Sequence, residues 1–310
     1  MNTIAIDLGG SRIKTGYFCD GVLKKTDVMD VKPGVTIAQA LEDVFVRICE
    51  TLDAKELSGI EKVGYAYPGL VNFAEKRAAS ASGKYEDAPG FDFGAWTRRR
   101  FGCDYIIEND ANAALVGEIS GGCAKGQTDA VMMILGTGVG AAAVMNGRLV
   151  RGKHFQAGCL GGHFPTELDG RKCSCGGRGC VEANCGTWVL DKLIREHPGF
   201  EGSPMKSENS YSFRVLEKYL DEGDPVARDV FGHCVRAWSN CVISLIYAYD
   251  PDTVVLSGGV MNMGDKILTP LMENVENRVW TPWGSVRFLV SDEPERSVLA
   301  GLDCLAREAE

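Results

Sequence analysis

Apolar and polar residues alternate from Thr3 to Asp7, stop at Gly9-Gly10, and resume as a strand from Ile13 to Cys19. A period of two on both sides of a glycine pair predicts a hairpin. The period then changes. Ala38 to Leu52 reads as an amphipathic helix, and Val63 to Tyr67 as a strand closed by Pro68-Gly69. Tyr105 to Ile107 predicts a short strand, and Asp110 to Ile119 a helix. Ala130 to Leu135 and Ala141 to Met145 predict two strands around the turn GTGVG. A mostly helical region follows, with a long helix from about Pro225 to Tyr249. Thr253 to Leu256 reads as a buried strand before Ser257-Gly258-Gly259, and a helix from about Arg296 to Arg307 closes the chain.

Strands and helices in alternation define an α/β class. One unit occurs twice. Ile4-Ala5-Ile6-Asp7 leads into Gly9-Gly10, and Met132-Met133-Ile134-Leu135 leads into Gly136-Thr137-Gly138-Val139-Gly140. Two such hairpins predict a duplicated fold of two domains flanking a cleft. The expected division is near residue 114: residues 1–113 with 295–310 form a smaller domain, and 114–294 a larger one.

The bulk composition narrows the setting. A chain of 310 residues is long enough for two domains, and 45% hydrophobic with 24% charged residues is ordinary for a globular protein. The start, MNTIAIDLGG, has no basic stretch and no long apolar run, so neither a signal peptide nor a membrane span is expected. Twelve cysteines in such a chain point to a reducing cytoplasm rather than to disulfides. A net charge of -9 argues against nucleic acid as a partner.

The cysteines are not evenly spread. His163, Cys173, Cys175 and Cys180 form the pattern His-x9-Cys-x-Cys-x4-Cys. Three thiolates and one imidazole are a closed tetrahedral set for a structural zinc ion. Gly176, Gly177 and Gly179 lie between the last two cysteines and allow a tight turn there. Cys159 and Cys185 flank the cluster as competing ligands. Cys19, Cys49, Cys103, Cys123, Cys234, Cys241 and Cys304 read as small core residues.

Glycine turns at strand ends expose backbone N–H groups that can cradle phosphate oxygens. Ser11 and Thr137 add hydroxyl donors, and Asp7 could hold a water of a phosphate-bound Mg²⁺. Asp110 stands where a strand becomes a helix. There it suits an N-cap, and it also suits a base that takes a proton from a substrate hydroxyl.

Several segments in one order resemble the ROK family, the sugar kinases and sugar-responsive repressors built on the actin-like ATPase fold. They are DLGGSRIKTG (7–16), YPGLV (67–71), ENDANAA (108–114), LGTGVGAA (135–142), GH (162–163), CSCGGRGCVE (173–182) and LSGGV (256–260). The resemblance spans nearly the whole chain. It implies that Asp110 is the catalytic base and that Asn109, His163, Glu182 and Gly69 contact the sugar. Gly9, Gly10, Gly136, Thr137 and Gly138 match the phosphate loops, and Gly258 and Gly259 match a loop beside the adenosine. His163 matches a residue whose ring binds zinc through one nitrogen and meets the sugar through the other. A homodimer is implied as well.

One departure bears on substrate. The family usually carries a glutamate three residues before this histidine. Here the stretch is Gln156-Ala157-Gly158-Cys159-Leu160-Gly161-Gly162-His163, one residue longer, and neither Cys159 nor Leu160 is a carboxylate. Gln156 and His154 are the candidate replacements. The resulting expectation is an ATP- and Mg²⁺-dependent kinase acting on a hydroxyl of a hexose or hexose derivative. The alternatives are a catalytically weak sugar-binding member and, third, a sugar-responsive transcriptional regulator. The first hairpin begins at Thr3, so a helix-turn-helix like that of the repressors is not expected before it.

Overall fold

The structure is a computed structural model and describes residues 1–32, 34–81 and 85–309. In chain order its elements begin with β1 (Asn2–Asp7), β2 (Arg12–Cys19), β3 (Val22–Asp30), α1 (Ile37–Thr51), α2 (Ala54–Ser58), β4 (Lys62–Tyr67), β5 (Val71–Asn72) and β6 (Arg77–Ala78). Next come α3 (Phe93–Phe101), β7 (Asp104–Asn109), α4 (Asp110–Ser120), β8 (Ala130–Leu135), β9 (Val139–Met145), β10 (Arg148–Leu149), α5 (Val181–Cys185) and α6 (Thr187–Arg195). The last are α7 (Phe213–Asp221), α8 (Pro225–Tyr249), β11 (Thr253–Ser257), α9 (Asp265–Glu276), β12 (Arg287–Val290) and α10 (Pro294–Glu308).

The chain packs into two compact units. The first holds Met1–Gln127, Leu149–Ala157 and Asp292–Glu310, and the second holds Thr128–Arg148 and Gly158–Ser291. Residue 114 lies inside α4, and the whole of that helix belongs to the first unit.

One five-stranded sheet runs β3-β2-β1-β4-β7, and the other β10-β9-β8-β11-β12. In each, a strand of the glycine hairpin pairs antiparallel with its partner on one side and parallel with a later strand on the other. The duplication expected from the two hairpins is therefore present at the level of topology.

In the first unit, Ile4, Ile6 and Ile13 are buried with Leu41, Val44 and Ile48 of α1. The helix starts at a capping box: Thr36 accepts from the Gln39 N–H, and the Gln39 side chain accepts from the Thr36 N–H. The α10 helix packs along α4 through Gly117 and Gly301. A Cβ at Gly117 would overlap the Ser297 carbonyl oxygen, and one at Gly301 would overlap that of Ala113. Thr3 on β1 donates to Asp303 of α10 at 2.6 Å, which also ties the C-terminal helix to this sheet.

In the second unit, Asp224 caps α8 by accepting from the Ala227 N–H, and Pro225 opens the helix. Trp238 of α8 is fully buried, with Phe213 and Phe231 at ring distances of 5.3 and 6.5 Å. No described helix is long and apolar enough to cross a membrane. Of the seven cysteines expected in the core, Cys234 and Cys241 are buried, Cys19, Cys103, Cys123 and Cys304 are partly so, and Cys49 is exposed on α1.

Candidate active site and metal centre

Three strand ends in the first unit carry the expected groups. β1 ends at Asp7, whose side chain is nearly buried and has the Lys14 ammonium at 3.6 Å. Burial pushes the Asp7 carboxyl above its ordinary range, while Lys14 pulls it back. Beyond Asp7 the chain turns at Gly9, where a Cβ would run into the Arg12 carbonyl oxygen. Ser11 is exposed, and its carbonyl accepts from the Val31 N–H at 2.9 Å. The Tyr85 hydroxyl donates to the Gly9 carbonyl at 3.3 Å, under the same turn.

β4 leads to Gly69, where a side chain would meet the Tyr67 ring at 2.7 Å. The Gly69 carbonyl accepts from the Asn109 amide at 3.1 Å, so the β4 and β7 ends are joined at this point. The α4 cap differs from the expectation. Asn109, not Asp110, is the N-cap, and its Oδ1 accepts from the Asn112 N–H at 3.1 Å. The reason is that β7 runs on to Asn109 and leaves that residue at the junction. Asp110 becomes the first helical residue.

Asp110 Oδ1 accepts from the Ala111 N–H at 2.8 Å and from Asn109 Nδ2 at 3.1 Å. Burial raises the Asp110 carboxyl to about 7, and the nearby Asp7 charge adds to the rise, against the pull of those hydrogen bonds. A carboxyl near 7 at a helix N-terminus is suited to accept a proton at neutral pH. Asp7, Gly9, Gly10, Ser11, Gly69, Asn109 and Asp110 all belong to this first unit.

The second unit gathers the rest. In the β8–β9 turn the Gly136 N–H donates to the Gly138 carbonyl at 3.0 Å. Thr187 and Trp188, at the start of α6, bond the Gly136 and Thr137 carbonyls at 2.7 and 3.3 Å. These bonds occupy carbonyls and hold the turn from behind. Gly258, at φ +97°, follows β11, and a Cβ there would strike the Leu135 carbonyl. Gly259 opens a 3-10 turn over Gly259–Met263 and has open space around it. On the other side of the turn, Glu182 of α5 accepts from the Val139 N–H at 3.1 Å.

His163 ends a 3-10 turn over Gly161–His163. A Cβ at Gly162 would overlap the Val139 carbonyl, so glycine brings this turn directly onto β9. The metal-binding atoms of His163, Cys173, Cys175 and Cys180 all lie within 4.8 Å of one another. Cys173 Sγ is 3.6 Å from His163 Nδ1, and Cys175 Sγ is 3.6 Å from Cys180 Sγ. Gly176 and Gly179 take positive φ in the loop, and a Cβ at Gly179 would hit the Glu167 carbonyl. Neither flanking cysteine joins the four. Cys185 is buried and its thiol donates to the Val181 carbonyl at 3.0 Å. Leu160 and Cys159 precede His163 and are partly exposed; His154 and Gln156 are exposed and belong to the first unit.

The fold and these turns define an α/β protein of the actin-like ATPase class. The sequence pattern of the ROK family matches residues 3–309, and the chain belongs to that family. It is 28% identical to the glucokinase of Thermotoga maritima over 322 aligned residues, covering 99% of this chain and 98% of that one. The ROK family glucokinase of Streptomyces griseus, solved in complex with glucose and AMPPNP, superimposes with a TM-score of 0.79 at 25% identity, and the match covers 100% of both chains. The ROK hexokinase of Thermus thermophilus gives 0.80 at 27% identity, covering 99% of this chain and 98% of that one.

One pair beside Asp110 has no counterpart among the sequence expectations. Glu108 is buried, and Arg151 Nε donates to its Oε2 at 2.7 Å. A glutamate inside an apolar strand was the available signal, since a buried carboxylate needs a partner.

Proposed function

We propose that this chain is an ATP- and Mg²⁺-dependent kinase that phosphorylates a hydroxyl of a hexose or hexose derivative. The observation that carries the reading is Asp110: a carboxyl raised to about 7, at the junction of β7 and α4, oriented by Asn109. Asp110 takes or orients the proton of the attacking hydroxyl, so that the oxygen can approach the γ-phosphorus in line. Asn109, Gly69, His163 and Glu182 hold the sugar. Turn amides at Gly9, Gly10, Thr137 and Gly138, with the Ser11 hydroxyl, hold the phosphates, and Gly136, whose N–H is taken by the Gly138 carbonyl, shapes the turn around them. Gly258 seats the loop against the Leu135 carbonyl, and Gly259 beside it leaves space for the nucleoside. The glucokinases and the hexokinase that this chain resembles support the same chemistry.

Both metals fit the residues present. Three sulfurs and one imidazole nitrogen clustered within 4.8 Å match the donor set of a structural zinc ion. With Nδ1 turned to Cys173, the other ring nitrogen of His163 is left for a sugar hydroxyl. Bound zinc would brace the loop that carries His163 and leads into Glu182. Asp7 is the residue that would hold Mg²⁺, through a water, and bound Mg²⁺ offsets phosphate charge. The reading places the enzyme in the reducing cytoplasm, where twelve cysteines stay as thiols, and as a homodimer, the assembly that the family resemblance implies.

The test is a panel of hexoses and N-acetylhexosamines with ATP, followed by ADP release. Turnover with at least one sugar supports the proposal. The absence of a carboxylate at Cys159 and Leu160 favours a second reading, a sugar-binding protein with little kinase activity. Sugar binding by calorimetry without ADP release would select it.

A further inference from the structure

We propose that Glu108 and Arg151 are positioning residues for phosphoryl transfer: the pair fixes the Asn109–Asp110 corner and so aims the base. This rests on the reading of Asp110 as that base.

Glu108 is 1% exposed, immediately before the corner. Its Oε1 accepts from the Asn109 backbone N–H at 2.9 Å and from Asn112 Nδ2 at 3.0 Å. Its Oε2 takes the Arg151 guanidinium, with Nε and one terminal nitrogen both at 2.7 Å. The contacts continue outward to the base. Asn112 donates its backbone N–H to Asn109 Oδ1, and Asn109 Nδ2 donates to Asp110 Oδ1 and to the Gly69 carbonyl. Every polar group that sets the Asn109 side chain is thus one or two bonds from Glu108.

Arg151 is itself anchored. Its guanidinium lies 4.1 Å from the centre of the Phe73 ring, just after β5. It belongs to Leu149–Ala157, the segment whose chain continues towards His163. A neutral acceptor at position 108 could satisfy the same two donors. The guanidinium, with two nitrogens on Oε2, holds the Glu108 carboxylate in one orientation. The structure therefore assigns the pair an orienting role in addition to its packing.

The variants are Arg151→Met, Arg151→Lys, Glu108→Gln and Glu108→Gln with Arg151→Met, assayed with ATP and the fastest hexose of the panel. Misaiming a reacting group by about an ångström can lower turnover by roughly a hundredfold. Arg151→Met is expected to lower kcat by roughly ten- to a hundredfold and to raise the sugar KM, with the ATP KM within about twofold. Arg151→Lys should recover part of the loss. The double variant should exceed Arg151→Met, because no buried carboxylate is left unpaired. It also keeps the test open if a single variant does not fold. Unchanged kcat and sugar KM in folded Arg151→Met and Glu108→Gln overturn the inference. So does a parallel drift of both KM values with falling thermal stability and no recovery in Arg151→Lys. Asp110→Asn is the control: if it keeps its turnover, the base assignment is what fails. If it loses turnover while the pair variants do not, only the positioning role fails.

Discussion

The carboxylate of Glu182 occupies the space that a side chain at Gly138 would need, and from there it accepts a hydrogen bond from the Val139 N–H at 3.1 Å. One residue of the phosphate turn and one proposed sugar ligand are therefore packed against each other. Gly138→Ala should displace the end of Glu182, a flexible side chain, rather than the backbone. Overpacking costs about 1–3 kcal/mol, and relief by a moving carboxylate puts this case at the low end. The expected result is a folded enzyme with a raised sugar KM and a lowered kcat. Steady-state kinetics with both substrates and a thermal melt check it. Unchanged sugar kinetics would separate Glu182 from the sugar.

Gly301→Ala is the structural counterpart. Its Cβ would meet the Ala113 carbonyl, which is backbone and cannot step aside. The α4–α10 contact must open, and a loss of about 1–3 kcal/mol or more is expected. Urea denaturation gives the number. A variant as stable as the parent would mean that α10 slides along α4 at little cost.

Asp110→Asn removes the base and leaves the Asn109 cap in place. Removing a general base typically lowers turnover by roughly 10²–10⁴-fold, and kcat should fall by that order. The parent should lose activity as pH drops through about 7, where Asp110 takes its proton. The stability effect has the opposite sign. A carboxyl raised in the folded state binds its proton more tightly there, so it favours folding at low pH and that contribution fades as pH rises through about 7. Asp110→Asn should therefore melt higher than the parent at pH 8 and show no such gain near pH 4. A pH–rate profile and melts at the two pH values decide both points.

The site was legible where a local pattern ends at a distinctive residue. Apolar strands meeting Gly9-Gly10 and Gly136-Thr137-Gly138 marked both turns, and the spacing of His163, Cys173, Cys175 and Cys180 marked the Cys/His cluster that the structure brings together. β3 was not legible because Lys24, Lys25 and Asp27 give an edge strand half in water no apolar alternation. The α3 helix was hidden by Arg98, Arg99 and Arg100 in its last turn, although Asp92 caps its start and Gly102 its end. The α4 cap fell one residue early because Asn109 and Asp110 are both good N-caps and only the reach of β7 chooses. The Glu108–Arg151 pair joins residues 43 positions apart, and no periodicity records such a distance.

Metal analysis of protein purified without chelator should give about one zinc per chain. Cys175→Ser alters the exposed member of the cluster and leaves the buried Cys173 and Cys180 in place. It should lower zinc content and raise the sugar KM more than the ATP KM, because the loop carries His163 and leads into Glu182. Loss of ATP affinity with sugar affinity retained would put the loop on the nucleotide side instead.

Substrate choice turns on the residues before His163. The family glutamate would accept from a glucose hydroxyl, and here Cys159 and Leu160 stand there without a carboxylate. A polar group left unpaired costs about 1–3 kcal/mol. Sites that leave a substrate hydroxyl unpaired discriminate against that substrate. Glucose should therefore be a poor substrate, with kcat/KM at least roughly tenfold below the best sugar, a difference of about 1.4 kcal/mol. The glucokinases similar to this chain make glucose the obvious first assay, so the comparison is direct. Gln156 and His154, the candidate replacements, are both exposed. Kinetics across the sugar panel decide it: if glucose proves the best substrate, another acceptor has taken the glutamate's place, and Gln156→Ala and His154→Ala would then identify whether either residue supplies it.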